Sequence, residues 1–245
     1  MFVLENGVKN KGEDPRLQAI SQAIRVVPHF PKQGIMFQDI TTLLLDHNAF
    51  KDAVDIFVDR YRDMDISVVA GVEARGFIFG SSIALGIGAK FAPLCKPGKL
   101  PGEVISEKYV LEYGTDCLEM HVGAVQQNER VIIIDDLVAT GGTMSAAIRL
   151  LERADAEVVE CACVIGLSDL KVRCKLNGKP LYILVEPRQV ENGFWSGNSN
   201  CTLHMKKWLH INDPLENSTI VFCLESHNEN TQDFKHPYPM EAPFC

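Results

Sequence analysis

Two adjacent carboxylates, Asp135 and Asp136, stand just ahead of the run Ala139, Thr140, Gly141, Gly142 and Thr143, within VIIIDDLVATGGT. The two glycines lack Cβ atoms, so successive backbone N–H groups can converge on a phosphate there. Thr140 and Thr143 add hydroxyl donors, and a helix starting at this point adds the partial positive charge of its N-terminus. Two acids beside such a nest would repel a phosphate unless another part of the ligand needs them. A sugar diol supplies that need, because each carboxylate accepts hydrogen bonds from hydroxyls. Their charge also favours positive charge developing on a sugar ring as a leaving group departs. The plainer alternative makes one acid a helix N-cap and leaves the other solvated. The G-x-x-x-x-G-K-[ST] pattern is absent, so a nucleoside-triphosphate mechanism gains no support.

A second loop of interest is VEARG, which follows a short apolar run. Arg75 there can meet a diphosphate bidentately, and Gly76 lets the backbone approach closely. The alternative is an arginine paired with Glu73 at a helix start.

These loops need elements to hold them. Asp14 and Pro15 form a helix start, with Leu17, Ile20, Ile24 and Val27 at helical spacing. PHFPKQGIMFQDI reads as an irregular connection, and Phe50, Val54, Phe57 and Tyr61 mark a second helix. ISVVAG, AKFAPLC, RVIIID, EVVECACVIGL and PLYILVE read as strands, interleaved with helices after VEARG and from Thr143 to Arg153. Residues 96–116 carry turn residues and charges without a clear period, which reads as a long loop or an exposed hairpin. This order predicts an α/β fold: an open, mainly parallel sheet flanked by helices. In such sheets ligands bind beyond the carboxyl ends of the strands, where both loops fall. Residues 1–13 read as a flexible tail, 14–187 as the main domain, and 188–245 as a partly disordered C-terminal extension rich in Asn, His, Pro and Ser.

Composition narrows the partners. The net charge of −8 argues against a nucleic-acid or anionic-membrane surface. No apolar stretch approaches the roughly 18 residues that a membrane span needs. The eight cysteines show no C-x-x-C spacing, and Cys161 and Cys163 share one face of a strand. Reduced thiols and a cytoplasmic location are expected.

Across residues 15–185 the sequence resembles the type I phosphoribosyltransferases, and among them the adenine phosphoribosyltransferase family of plants. The motifs that carry this are FPKQGIMFQDIT, VAGVEARGFIFG, GKLPGEVISEKYVLEYGTDCLEMH and VIIIDDLVATGGT. The resemblance implies a parallel-stranded core, a small N-terminal hood (about 28–42), a mobile lid loop (about 96–116), Mg2+ held mainly by substrate and water, and a homodimer. The implied reaction is adenine plus phosphoribosyl diphosphate giving AMP and diphosphate, with cytokinin bases as a substrate variant. It casts Arg75, Lys96 and Lys99 as diphosphate contacts. Glu112 is implied as the group acting at the purine N7, with Tyr113 beside it in the lid. Met36, Phe37 and Gln38 are implied as the hood's base contacts, with Phe37 stacking and the neighbouring backbone reading the purine edge. Leu167 is implied on the base's other side.

The sequence departs from the family at Cys95, where relatives carry Arg, at Pro97, at Gly166, where they carry Glu, and at Ser81 and Ser82. A protein of this fold that binds phosphoribosyl diphosphate without turnover is the competing reading.

Overall fold

A computed structural model describes residues 14–30, 33, 35–111, 114–166 and 175–188, and the backbone of 203–207 and 222–226. Three expected site residues, Glu112, Tyr113 and Leu167, lie outside the described residues. So do residues 1–13 and most of the chain after 188.

The first helix, α1 (Pro15–Ala23), starts as its sequence dictates. The Asp14 carboxylate accepts from the Arg16 N–H at 3.0 Å, and proline occupies the first turn. It ends earlier than the apolar spacing suggests. Arg25–Pro28 forms strand β1, paired antiparallel with β2 (Met36–Asp39) in the register Arg25↔Asp39 to Pro28↔Met36. Val27 therefore belongs to a strand, and the segment expected to be irregular is largely a small hairpin. Two β-branched valines favour that outcome over a further helical turn.

Two helices follow, α2 (Thr41–Leu45) and α3 (His47–Tyr61). Asp46 caps α3 through bonds of 3.0 Å to the Asn48 and Ala49 N–H groups. The core sheet then begins with β3 (Val68–Val72), followed by α4 (Gly76–Ile87) and β4 (Lys90–Leu94). A hairpin comes next, β5 (Val104–Leu111) with β6 (Gly114–His121). The chain returns to the sheet through β7 (Arg130–Val138), α5 (Gly142–Glu152), β8 (Glu157–Gly166) and β9 (Leu181–Val185). Two further strands, β10 (Leu203–Lys207) and β11 (Phe222–Ser226), pair antiparallel within the C-terminal region.

The central sheet has the order β4-β3-β7-β8-β9, and every pairing in it is parallel. Alternate residues of its strands feed two separate cores. Val68, Ala70, Val131 and Ile133 join α5 and the β5–β6 hairpin on one face. Val69, Ile132 and Ile134 join α1, α3 and α4 on the other. A sheet buried on both faces explains the unbroken apolar runs of its strands. Cys161 and Cys163 are free thiols, fully buried on one side of β8. Among the described residues no helix is long and apolar enough to cross a membrane.

An ionic contact also ties α3 to the sheet. On α3, Arg60 grips the buried Glu160 of β8 with two bonds of 2.7 Å, and the Tyr61 hydroxyl donates to the same carboxylate at 2.8 Å. Arg60 also lies 4.1 Å from the centre of the Tyr182 ring. These contacts fasten α3 across β8 and β9.

Candidate active site

From β3 the chain crosses through α4 to β4 on one side, whereas β7 feeds α5 and β8 on the other. The loops after β3 and β7 therefore diverge from neighbouring strands and leave a crevice between them, the usual ligand position in an open parallel sheet. That divergence brings Arg75 and the acid pair together, although 60 residues separate them in sequence.

The acids sit deeper than the motif suggests. β7 does not stop at Asp135 but runs on to Val138, so both carboxylates belong to a strand and are buried, at 6% and 5% exposure. The Asp136 N–H donates to Asp135 Oδ1 at 2.9 Å. Asp136 Oδ2 accepts from Arg75 Nε at 2.5 Å. Burial alone would lower the Arg75 pKa, but the charge and hydrogen bond of Asp136 outweigh it and hold the guanidinium more firmly protonated. Neither acid is a helix cap, which removes the plain alternative for the pair.

Gly76 permits this meeting. A Cβ there would lie 2.7 Å from the Ile134 carbonyl oxygen and 3.3 Å from the Asp135 Cα, so the first turn of α4 can press on β7 only without a side chain. The pairing of Arg75 with Glu73 does not occur. Glu73 instead accepts the Lys96 backbone N–H at 2.6 Å, tying the β3 loop to the segment after β4.

At the end of β7, residues 137–144 and Asp135 line a concave site. Gly141 takes the left-handed conformation (φ 75°) that glycine adopts without steric cost, and α5 begins directly after it. No side chain caps that helix. Its first N–H groups thus face the pocket floor, where an anion is the natural partner. Ala139, Thr140, Gly141, Gly142 and Thr143 all line the site.

The N-terminal hairpin β1–β2 carries the expected base contacts. Phe37 is half-buried and meets Phe30 edge-on, with ring centroids 5.1 Å apart. Gln38 is buried, and its side-chain amide donates to the Arg188 carbonyl at 3.3 Å. Arg188 in turn donates to the Ile24 carbonyl at 2.5 Å, so the segment after β9 holds the hairpin. The Gln38 side chain thus serves the scaffold. Met36 is partly exposed at the far end of the strand.

Lys96 and Lys99 part company. Lys99 is exposed, whereas the Lys96 side chain is turned inward, 13% exposed, onto Asp116 and the Tyr109 hydroxyl. Sequence reasoning missed Asp116, Tyr109 and Glu73. The available signal for Tyr109 and Asp116 was strand alternation: Tyr109 points inward where its neighbour Val110 points out, and Asp116 shares its face with the buried Leu118 and Met120.

The base of the hairpin is also fastened elsewhere. Glu107 accepts from Arg149 at 2.7 Å and from Arg153 at 3.2 Å, and Arg153 reaches the Ser106 carbonyl at 2.6 Å. Cys95 bridges to Glu119 through paired backbone bonds of 2.9 and 2.8 Å. The absent side chain of Gly166 would meet Cys163 Sγ at 2.9 Å and Ile183 at 3.1 Å, so glycine at this place is a core-packing choice.

An uncapped helix start beside two buried acids, with an arginine from the neighbouring loop, is an arrangement suited to a phosphorylated sugar. The profile of the phosphoribosyl transferase domain matches residues 40–178. Adenine phosphoribosyltransferase 5 of Arabidopsis thaliana is 76% identical over 187 residues, spanning 76% of this chain and 96% of that protein. The chain belongs to the adenine phosphoribosyltransferases. It is accordingly a pentosyltransferase. The similarity to plant members of the family, at 66–76% identity, exceeds the 48% to the adenine phosphoribosyltransferase of Shewanella amazonensis, which covers 68% of this chain and 92% of that one. The crystal structure of the adenine phosphoribosyltransferase from Saccharomyces cerevisiae, complexed with an imino-altritol bisphosphate and adenine, shares the fold with a TM-score of 0.66 at 36% identity. That match covers 70% of this chain and 99% of the yeast one.

Proposed function

We propose that this chain transfers the phosphoribosyl group of phosphoribosyl diphosphate to adenine, releasing AMP and diphosphate, in purine salvage. The observation that carries the reading is the uncapped N-terminus of α5 opening on the same pocket as the buried Asp135, beside the Asp136–Arg75 pair. The 5′-phosphate belongs on residues 139–143, where backbone N–H groups and the helix start receive it. The ribose hydroxyls then fall to the acid pair, and Arg75 lies on the side from which diphosphate departs. Developing positive charge on the ribose is stabilised by the fixed carboxylates, which lose no energy to reorganisation because a strand holds them.

Among the described residues no cluster of three or more acids, histidines or cysteines forms a metal cage. Mg2+ does not need one, since it keeps several waters and binds through one or two carboxylates plus substrate phosphates. The hard oxygens of Asp135 and Asp136 fit that mode. When bound, the ion neutralises the charge of the leaving diphosphate.

Glu112 and Tyr113, which fall between β5 and β6 in sequence, are assigned to the base, with Glu112 hydrogen-bonding the purine N7. Met36, Phe37 and Gln38 hold the base from the hood, opposite Leu167. Lys99 serves the diphosphate. We assign a cytoplasmic location and a homodimer. Free buried cysteines suit a reducing compartment, and the outward-facing Leu45 and Leu85, at 86% and 85% exposure, offer apolar surface to a second copy. The non-catalytic alternative is not favoured by this chain's similarity to named enzymes.

The test is direct. Purified protein with Mg2+, phosphoribosyl diphosphate and each of adenine, guanine and hypoxanthine should form a nucleotide from adenine alone. Binding of phosphoribosyl diphosphate without any AMP from adenine would overturn the enzymatic reading.

A further inference from the structure

Near the tip end of the β5–β6 hairpin, four polar side chains meet, the Asp116 and Tyr109 side chains largely shielded from water. Asp116, with a side chain 7% exposed, accepts from the Lys96 ammonium and from the Tyr109 hydroxyl, the latter at 2.9 Å. Lys96 also donates to the Tyr109 oxygen at 3.2 Å. Tyr109 is 4% exposed, and its hydroxyl in turn receives Thr143 Oγ1 at 3.5 Å, a long contact that reaches the first turn of α5. Thr143 lines the phosphate pocket.

Each member is held by its neighbours. Burial would raise the Asp116 pKa, but Lys96 and the Cys117 N–H and Tyr109 hydroxyl bonds bring it below the usual carboxylate value. Burial pushes the Tyr109 phenol well above its ordinary value, so this group remains a hydroxyl that donates to Asp116. A buried ammonium and carboxylate are costly to desolvate unless their geometry is fully satisfied, and here three donors converge on one carboxylate.

The network lies at a mechanical boundary. Below it, Glu107, Arg149, Arg153 and the Cys95–Glu119 bridge clamp the hairpin to α5 and β4. Above it only the pairs Val110↔Thr115 and Leu111↔Gly114 remain before residues 112 and 113.

We propose that Asp116 and Tyr109 are positioning residues for phosphoribosyl diphosphate: Asp116 fixes the Lys96 ammonium and the Tyr109 hydroxyl, and Tyr109 holds the Thr143 side chain in its phosphate-binding place. Lys96 acts through this network. It reinforces Asp116 from inside and leaves the exposed Lys99 for the diphosphate. The inference rests on the phosphate role given above to residues 139–143.

Tyr109→Phe tests it, because it deletes one hydroxyl, keeps the ring and leaves the Lys96–Asp116 charges paired. The Kd of phosphoribosyl diphosphate with Mg2+, read by calorimetry, should rise about three- to tenfold, as for one lost hydrogen bond. KM for phosphoribosyl diphosphate should rise in step, while kcat and KM for adenine stay within about twofold, the pattern of lost uniform binding. In a Thr143→Ala background the same change should leave Kd unmoved. An unchanged Kd in Tyr109→Phe, or an equal effect in both backgrounds, overturns the proposal. Asp116→Asn should weaken phosphoribosyl diphosphate binding at least as much as Tyr109→Phe. Wild-type-like binding by a folded Asp116→Asn protein would remove Asp116 from the network. These binding readouts do not depend on turnover, so a wild type that binds phosphoribosyl diphosphate yet forms no AMP would refute the enzymatic reading alone.

Discussion

Replacing Asp136 by Asn keeps its shape and one acceptor oxygen but removes its charge, and the structure separates two consequences of different size. The first concerns folding. Arg75 would lose its partner at 2.5 Å, in a pair whose side chains are 28% and 7% exposed. Breaking a fully buried pair costs roughly 3–5 kcal/mol. The guanidinium here reaches solvent and also feels Asp135, so screening reduces the cost to about 1–2 kcal/mol. For a chain of this size that corresponds to a Tm about 2–8 °C lower. The second consequence concerns the reaction. A preorganised group that stabilises transition-state charge is worth about 2.7–4 kcal/mol, or 10²- to 10³-fold in kcat. AMP formation at saturating substrates and 25 °C should therefore fall at least a hundredfold in a protein that is still folded. Calorimetric melting of the same preparation gives the stability change. A kcat reduced less than tenfold alongside a Tm drop beyond 8 °C would show that the acid pair serves the scaffold, and the charge-stabilisation argument would be wrong.

Further outcomes follow from other contacts. Gly76→Ala must push the first turn of α4 away from the Ile134 carbonyl, backbone against backbone with no flexible side chain to yield. It should cost about 1–3 kcal/mol in urea unfolding and weaken phosphoribosyl diphosphate binding through displaced Arg75, whereas a wild-type midpoint would refute the close-packing account. Cys95 has its thiol pushed up to about 11 by burial, with Glu73 and Glu119 adding to the shift. At pH 8 peptide-mapped alkylation of Cys95 should run more than about a hundredfold slower than that of a free cysteine, and a rate near the free value would contradict the burial. Asp116 has a folded pKa lowered from 3.8, so its contribution to stability is present above that value and is lost as pH falls through the lower folded value. Urea midpoints measured from pH 6 to pH 3 should fall more for the wild type than for a Lys96→Gln, Asp116→Asn double variant; parallel profiles would rule the pair out as a source of acid sensitivity.

The sheet was legible because its strands are short apolar runs between turn residues, and helix α5 because Met144, Ala147, Leu150 and Leu151 recur at helical spacing. Cys161 and Cys163 were readable as core thiols from their alternation alone. Other features needed the third dimension. Val27 fits a helix face by spacing, and only the pairing of Val26 and Val27 with Gln38 and Phe37 makes this stretch a strand. The motif VIIIDDLVATGGT announces a phosphate loop, yet nothing local shows that β7 continues through both acids to Val138. The partner of Arg75 lies 61 residues away and that of Lys96 lies 20, and the near alternative for Arg75, Glu73, is not the one taken. Long side chains choose among several carboxylates by topology, which spacing does not encode.

The extension of β7 divides the pocket by rigidity. The acids ride on the middle strand of a five-stranded sheet, the proposed phosphate donors on one loop and one helix end, and the proposed base contacts on a peripheral hairpin. Evolution can therefore retune the acceptor by changing the outlying hairpin, with the sugar-handling centre left untouched. Substitutions in the strand have no such freedom, since each presses on one buried core or the other. A lineage with this architecture should diversify from its rim inward, and its strand acids should be the last positions to change.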